Sequence, residues 1–188
     1  MPSWKRLSSR DILRDRWVRL RADRCEIAPG KIIEPYYVLE ETEWVHAFVR
    51  DERDRVLLIR QYRYAADAVG YELPGGTTDA GEDLLAATQR ELLEETGYAA
   101  ENWRHLAAPF ANPARQNNRI HCFVADRARL VGAPSLEETE DIVAEFVEPA
   151  RVLELIRSGA VNQASHAGLI LAAFLDLGWL QPALPTPA

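Results

Sequence analysis

The chain has 188 residues, of which 47% are hydrophobic, and this length is typical of one domain with a sizeable core. Its 22 lysines and arginines stand against 29 acidic residues, which gives a net charge of −7. Such an acidic chain is a poor match for non-specific nucleic-acid binding, so we expect no nucleic-acid partner and expect any anionic substrate to be held by local arginines or a metal ion.

Apolar alternation and short apolar runs between turn residues predict strands at 18–27, 31–39, 44–49, 56–63, 71–73, 103–107, 119–125 and 143–147. Pro29-Gly30 marks a turn between the first two strands, which predicts a hairpin. Helices are predicted at about 83–96, from Pro149 to near Gly159, and at 165–177. The pattern favours the α+β class, with a β-hairpin extension at 1–40, a main domain at 41–180 and a flexible tail at 181–188.

No apolar core of a signal peptide occurs among the first residues, and the longest apolar run, 168–175, is too short to span a bilayer. Cys25 and Cys122 each lie in an apolar, strand-like run, which favours buried free thiols over a disulfide bond. We therefore expect a soluble, cytoplasmic protein without a membrane partner.

The first predicted helix carries the strongest chemical signal. Asp83 can serve as its N-cap, and Gly97 fits the left-handed position that ends helices. Glu91, Glu94 and Glu95 are spaced so that they become neighbours on the helix surface. Clustered carboxylates without matching bases suit a hard divalent cation, although a glutamate-rich face is more often merely solvated. Mg²⁺ usually combines one or two carboxylates with water and substrate phosphates, so a diphosphate substrate would suit such a site.

The chain matches the complete Nudix box, in the run Gly76-x5-Glu82-x7-Arg90-Glu91-Leu92-x-Glu94-Glu95-x-Gly97-Tyr98. Tyr98 is the one departure, because the family pattern prefers an aliphatic residue there. The resemblance implies the Nudix fold, a mixed β-sheet sandwiched between α-helices, here with a small N-terminal β extension. It also implies Mg²⁺-dependent hydrolysis of a nucleoside diphosphate linked to another group, with Mn²⁺ as a substitute ion.

Carried over by position, the box implies a metal site built on the helix and on the loop before it. The ligands that it implies are Gly75 (through its carbonyl), Glu91, Glu94 and Glu95. Glu82 and Arg90 are expected to form a buried ion pair that holds this loop on the helix, rather than to act in catalysis.

Two features outside the box resemble ADP-ribose pyrophosphatases and nucleotide-sugar hydrolases. The strand 56–63 ends in Gln-x-Arg, which implies that Arg63 contacts a substrate phosphate. Pro113 stands at the spacing where ADP-ribose enzymes carry a proline, and Asn112 beside it is a candidate substrate contact. The residues 114–119, however, contain two arginines and no carboxylate, unlike the ADP-ribose enzymes. GDP-mannose or another nucleotide sugar therefore stays open as the substrate.

An acidic loop at 127–141, before the last strand, is expected to supply the general base. By position in similar enzymes, Glu138 is the base and Glu140 is a supporting acid near the metal; Glu137 replaces Glu138 if the register shifts. Such a base must come within hydrogen-bond reach of the attacking water.

Resemblance also assigns the N-terminal extension to dimerisation and to part of the nucleoside pocket, so a homodimer is expected. Tyr36, Tyr37 or Trp44 could stack on a base, although aromatic strand residues are more often core or interface. The alternative to an enzyme is a nucleotide-sensing module, which should have lost box glutamates that this chain retains. No partner is predicted for His166 in the last helix.

Overall fold

The structure is a computed structural model that describes residues 3–181. Its strands are β1 (Lys5–Arg14), β2 (Arg19–Ala28), β3 (Lys31–Leu39), β4 (Trp44–Val49), β5 (Val56–Arg63), β6 (Ala68–Glu72), β7 (Gly75–Thr77), β8 (Tyr98–Ala107), β9 (Ile120–Leu130) and β10 (Ile142–Val147). Its helices are α1 (Leu84–Thr96), α2 (Pro149–Arg157) and α3 (Ala164–Asp176), and a single 3-10 turn covers Tyr64–Ala66. Two compact units result: Met1–Glu43 with Pro109–Arg119, and Trp44–Ala108 with Ile120–Ala188.

The first unit contains an antiparallel sheet in the order β1-β2-β3. The predicted hairpin is confirmed as β2 and β3, and Gly30 takes the left-handed φ of 74° that its turn requires. β1 was not predicted, because each of its residues is exposed and its sequence has no apolar alternation. The segment Pro109–Arg119 belongs to this unit, since the Leu39 amide donates to the Arg115 carbonyl at 2.8 Å.

The second unit contains two sheets. In one, β5 lies between β10 and β6, and both pairings are antiparallel. In the other, the order is β7-β4-β9-β8, with β4 parallel to β9 and antiparallel to β7. The mixed sheet that was predicted is therefore present, and β4 lies between β7 and β9.

A buried cluster joins α1 to strands of both sheets: Ala47, Val49, Leu57, Leu92 and Ala125. The helix begins and ends as its sequence predicts. The Asp83 carboxylate accepts hydrogen bonds from the amides of Leu85 and Ala86, each at 3.0 Å. At the other end Gly97 has a φ of 73°, and a Cβ there would lie 2.3 Å from the Gly132 carbonyl oxygen. These end signals and the packing of Leu92 fix the rotation of α1, and with it the directions of the box glutamates.

Strand assignments differ from the predictions at four places, the first being β6, which begins at Ala68 rather than at 71. β7 was missed, because two glycines and a threonine carry no strand signal until β4 pairs with them. β8 begins at Tyr98 rather than at 103, and β9 continues to Leu130. The predicted acidic loop, 127–141, is therefore shortened to 131–141.

Both cysteines are buried and free, as predicted. Within residues 3–181 no helix combines the length and apolarity needed to cross a membrane. The predicted tail, 181–188, lies outside the described residues except for its first position.

Candidate active site

The glycine loop after β6 brings backbone directly against α1. Gly75 opens β7 and is paired with His46 of β4. A Cβ at Gly75 would lie 2.0 Å from the Val45 carbonyl oxygen, and the residue has a φ of +149°, so only glycine fits there. The Gly75 amide donates to Glu95 Oε2 at 2.7 Å. The loop is thereby bound to one of the predicted metal ligands.

The pKa values of two box glutamates, Glu91 and Glu95, are raised in the folded chain. Glu95 is only 5% exposed, and this burial raises its pKa to about 8; the negative charges of Glu91 and Glu140 act in the same direction. Burial also raises the pKa of Glu91, against the opposing charge of Arg90. Desolvated carboxylates that repel each other favour either a proton or a cation between them.

Arg90 connects the loop to the helix. Its Nε donates to Glu82 Oε1 at 2.9 Å and its Nη2 to Glu82 Oε2 at 3.0 Å, and these bonds lower the pKa of Glu82 to about 2. The predicted ion pair is confirmed, although its side chains are 33% and 19% exposed rather than buried. Nη2 also reaches the Thr77 carbonyl at 3.2 Å, while Nη1 donates to Glu91 Oε1 and Glu94 Oε2, each at 2.9 Å.

These contacts bear on whether a metal ion fits. Among residues 3–181, no three acidic, histidine or cysteine side chains already converge as a metal cluster, and Arg90 is paired with both Glu91 and Glu94. The donor chemistry nevertheless fits a hard divalent cation, because Glu91 and Glu95 are desolvated carboxylates in need of a counter-charge. At Gly76 an added Cβ would lie 2.7 Å from Glu91 Oε2, so the missing side chain leaves room around that carboxylate.

The acidic loop is attached to the carboxyl-terminal end of α1. The Ser135 amide donates to the Glu94 carbonyl at 2.8 Å, which leads the chain back towards the box helix. The loop then closes a turn on itself: the Glu140 amide donates to the Glu137 carbonyl at 3.0 Å, and Glu140 Oε2 accepts the Glu137 amide at 2.9 Å. This turn fixes where the loop's carboxylates lie.

Within the loop, Glu140 is partly buried, and its charge acts on Glu91, on Glu95 and on the guanidinium of Arg63. The structure therefore brings Glu140 into the field of the box carboxylates. Glu138, the predicted base, is exposed. Its role stays a prediction.

Arg63 ends β5 and is held by Glu72 at the end of β6. Its Nε donates to Glu72 Oε1 at 3.0 Å and its Nη2 to Glu72 Oε2 at 2.7 Å, and this pairing raises the pKa of Arg63. The side chain of Glu72 is 1% exposed, whereas that of Arg63 is 48% exposed. Arg63 therefore combines a buried anchor with an accessible guanidinium, and its charge also acts on Glu95.

His166 lies beside Glu72, the partner of Arg63, and the sequence did not predict this contact. It is buried in α3, and its Nδ1 accepts the Leu73 amide at 3.1 Å, which leaves the proton of the neutral ring on Nε2. Nε2 lies 3.5 Å from Glu72 Oε2. Burial lowers the pKa of His166 to about 3, and its ring centroid lies 4.4 Å from that of His46 beneath the glycine loop. No local pattern signals these contacts, since Glu72 and Leu73 are remote in the chain.

Asn112 lies in the first unit, in the segment Pro109–Arg119. Its carbonyl accepts the amides of Arg115 at 2.9 Å and Gln116 at 2.7 Å, so it opens a tight turn there. The residue is exposed, and its predicted contact with substrate stays a prediction.

Two family models match the chain. The NUDIX domain covers residues 42–165, and the nucleoside diphosphate sugar hydrolase N-terminal domain covers residues 4–39. The box geometry described above lies within the first of these ranges. Members of this family generally use divalent metal ions.

Known proteins resemble the chain over most of its length. A CMP-5'-(N-acetyl-N-hydroxy-3-aminopropyl)phosphonate hydrolase of Streptomyces rubellomurinus is 33% identical over 176 residues, which covers 93% of this chain and 84% of that protein. An ADP-ribose pyrophosphatase of Bacillus subtilis is 27% identical over 169 residues, or 87% and 88% of the two chains.

The crystal structure of an ADP compounds hydrolase superposes with a TM-score of 0.84 over 95% of this chain and 96% of its own, at 20% identity, which confirms the fold. The α+β class and the mixed-sheet architecture inferred from the box are thereby confirmed. Together with the family match over residues 42–165, the relative at 33% identity shows that the chain belongs to the Nudix family and is a Nudix pyrophosphohydrolase.

Proposed function

We propose that this chain uses Mg²⁺ to hydrolyse the diphosphate of ADP-ribose or of a related nucleoside diphosphate sugar, releasing a nucleoside monophosphate and a sugar phosphate. The observation that carries the proposal is the partly buried Glu91 beside the buried Glu95, two desolvated carboxylates that need a cation, with the accessible guanidinium of Arg63 acting on Glu95. A diphosphate meets both needs, because its oxygens can complete a Mg²⁺ shell and accept hydrogen bonds from arginine. The name of the Bacillus relative supports this substrate class.

The chain's own residues divide the work. Those that would hold the ion are Gly75 (through its carbonyl), Glu91, Glu94, Glu95 and Glu140. When bound, Mg²⁺ polarises phosphoryl oxygens and lowers the pKa of a coordinated water. Glu138 accepts the proton of the attacking water, Arg63 holds a substrate phosphate, and Asn112 contacts the substrate. Arg90 engages one oxygen of each of two of these carboxylates, Oε1 of Glu91 and Oε2 of Glu94, so the second oxygen of each would be the one offered to the ion.

A second substrate class is favoured by the Streptomyces relative, whose name specifies a nucleoside monophosphate joined to a phosphonate. The residues 114–119 of this chain support such an anionic group, since they contain two arginines and no carboxylate. GDP-mannose and other nucleotide sugars are the alternatives within the first class.

A substrate panel tests the proposal. Purified protein is incubated with ADP-ribose, GDP-mannose, UDP-glucose, a CMP-linked phosphonate or deoxynucleoside triphosphates, in Mg²⁺, in Mn²⁺ or in EDTA, and the products are separated by ion-exchange chromatography. We expect Mg²⁺-dependent release of a nucleoside monophosphate from at least one diphosphate sugar. Turnover of none of the diphosphates would contradict the proposal, and binding of ADP-ribose without turnover would favour a sensor.

We propose two further properties, of which only the first comes from the family resemblance. The first is a homodimer in which the N-terminal extension takes part; light scattering coupled to size exclusion would give twice the 21.2 kDa chain mass. The second is a cytoplasmic location, which cell fractionation would test.

A further inference from the structure

The guanidinium of Arg63 is hydrogen-bonded to a carboxylate along one of its edges. Glu72 takes the edge formed by Nε and Nη2, with bonds of 3.0 and 2.7 Å. The opposite edge, formed by Nη1 and the second hydrogen of Nη2, makes no side-chain hydrogen bond that we find among residues 3–181. That edge has the spacing of two phosphate oxygens, and nearly half of the Arg63 side chain is exposed.

The orientation of Arg63 depends on the position of the Glu72 carboxylate. Glu72 is 1% exposed, and a carboxylate so deeply buried must have its oxygens satisfied by charged or hydrogen-bonding partners. One partner is Arg63. A second polar group, His166 Nε2, lies 3.5 Å from Glu72 Oε2, the same oxygen that Arg63 Nη2 binds.

His166 is in turn fixed by backbone. The Leu73 amide donates to its Nδ1 at 3.1 Å, so the neutral ring presents Nε2–H towards Glu72. Because Leu73 follows Glu72 directly, the imidazole contacts both the backbone and the side chain of the same short segment. The ring of His46 packs against the other side at a centroid distance of 4.4 Å. The side chains of His46, His166 and Glu72 thus form a continuous chain of contacts from the core to Arg63.

We propose that His166 and Glu72 are positioning residues for substrate: His166 fixes the Glu72 carboxylate, and Glu72 orients Arg63 so that its Nη1–Nη2 edge receives two oxygens of the diphosphate. This inference rests on the proposed function, because it requires that Arg63 bind a substrate phosphate. It adds a residue of α3, outside the Nudix box, to the determinants of phosphate binding.

Substitutions at His166 separate its two contacts. His166→Asn retains an acceptor for the Leu73 amide but loses the donor to Glu72, whereas His166→Gln can supply a donor and His166→Leu supplies neither. With ADP-ribose and Mg²⁺, we expect His166→Leu and His166→Asn to raise KM about tenfold while kcat changes by less than about threefold, because a contact present in both ground and transition states is weakened. His166→Gln should recover part of the affinity. An unchanged KM in His166→Leu would overturn the inference.

A double-mutant cycle distinguishes positioning from a general loss of packing. Arg63→Lys retains the charge beside Glu72 but lacks the fork that Glu72 orients, so in that background His166→Asn should have little further effect on KM. Phe174→Leu serves as the matched control: it loosens the same helix at a buried residue that packs on Phe48 and Trp179, and its effect should be the same in both backgrounds. If His166→Asn raises KM equally in the wild-type and the Arg63→Lys backgrounds, His166 is merely structural.

The cycle can be read without turnover. Isothermal titration with ADP in Mg²⁺ gives Kd values for the wild type, Arg63→Lys, His166→Asn and the double variant. Absence of hydrolysis by the wild type would refute the proposed function, while non-additive Kd values would still support the positioning role. Additive Kd values would refute the positioning role whether or not the wild type hydrolyses its substrate.

Discussion

Replacing Glu95 by glutamine should abolish hydrolysis and, without metal, stabilise the protein near neutral pH. The Glu95 carboxylate is 5% exposed and accepts the Gly75 amide at 2.7 Å. The glutamine carbonyl can accept the same bond in nearly the same volume. What the substitution removes is the negative charge, which serves as a metal ligand in the proposed function and opposes folding when no cation is bound.

The size of the stability change follows from the pKa of Glu95, which burial raises from 4.5 to about 8. Between these values the folded chain holds a proton that the unfolded chain has lost, so the free energy of unfolding falls as pH rises. The loss is about 1.4 kcal/mol per pH unit, or at most about 4 kcal/mol between roughly pH 5 and pH 8. Below pH 4.5 both states are protonated and the effect vanishes. Glutamine does not titrate, so Glu95→Gln should lack this decline.

Urea unfolding in EDTA at several pH values would measure the difference. The variant and the wild type should have similar midpoints near pH 4.5, and the midpoint of the variant should become progressively higher up to pH 8. Excess Mg²⁺ should reverse the order, because it binds the folded wild type and stabilises it by mass action. Glu52→Gln, at an exposed turn position, controls for loss of a negative charge. A midpoint difference that is constant from pH 5 to pH 8, or hydrolysis by Glu95→Gln at the wild-type rate, would refute the reasoning.

Three further substitutions test the rest of the site. Gly75→Ala should lower the free energy of unfolding by more than about 3 kcal/mol, because its Cβ would lie 2.0 Å from a backbone carbonyl oxygen; a thermal melt like that of the wild type would contradict this. Glu138→Gln should lower kcat about 10²–10⁴-fold with little change in KM, and if Glu140→Gln has that effect instead, the base is Glu140. Glu82→Gln should lower the melting temperature above pH 4.5, and this difference should fade as the pH falls towards 2, since Arg90 stabilises the ionised form of Glu82; a difference independent of pH would exclude that explanation.

The box helix was predictable because its signals are local. Asp83 and Gly97 lie within a turn of the amides and carbonyls that they satisfy. The Glu82–Arg90 pair was also predictable from the box pattern. What the sequence could not give was the contact of Arg90 with Glu91 and Glu94, because several acids within reach of one guanidinium look alike until the helix is built.

Elements defined by pairing or by distant contacts were missed for the opposite reason. β1 is exposed throughout, so burial imposes no alternation on it, and β7 is a strand only because β4 offers it hydrogen-bonding partners. Glu72 and His166 meet only once β6 and α3 pack together. A lone histidine in an apolar helix carries no information about such a partner, which is why its contact with the Arg63 anchor had to come from the structure.

The two arginines beside the carboxylates are held in the same way, and this explains how cationic side chains remain useful in an acidic site. Arg63 donates to Glu72 and Arg90 donates to Glu82, each through Nε and Nη2. An arginine without such a partner would form its most stable contact by pairing in a bidentate manner with the nearest metal-ligating carboxylate. Because Nε and Nη2 of Arg90 are already bonded to Glu82, only Nη1 reaches Glu91 and Glu94. A cation can therefore take over those carboxylates while Arg90 stays bonded to Glu82. In the same way, the pairing with Glu72 leaves the Nη1–Nη2 edge of Arg63 available to phosphate. A substitution that removes Glu72 or Glu82 should therefore weaken the fold, and it should also free an arginine that competes with the metal ion for the site carboxylates.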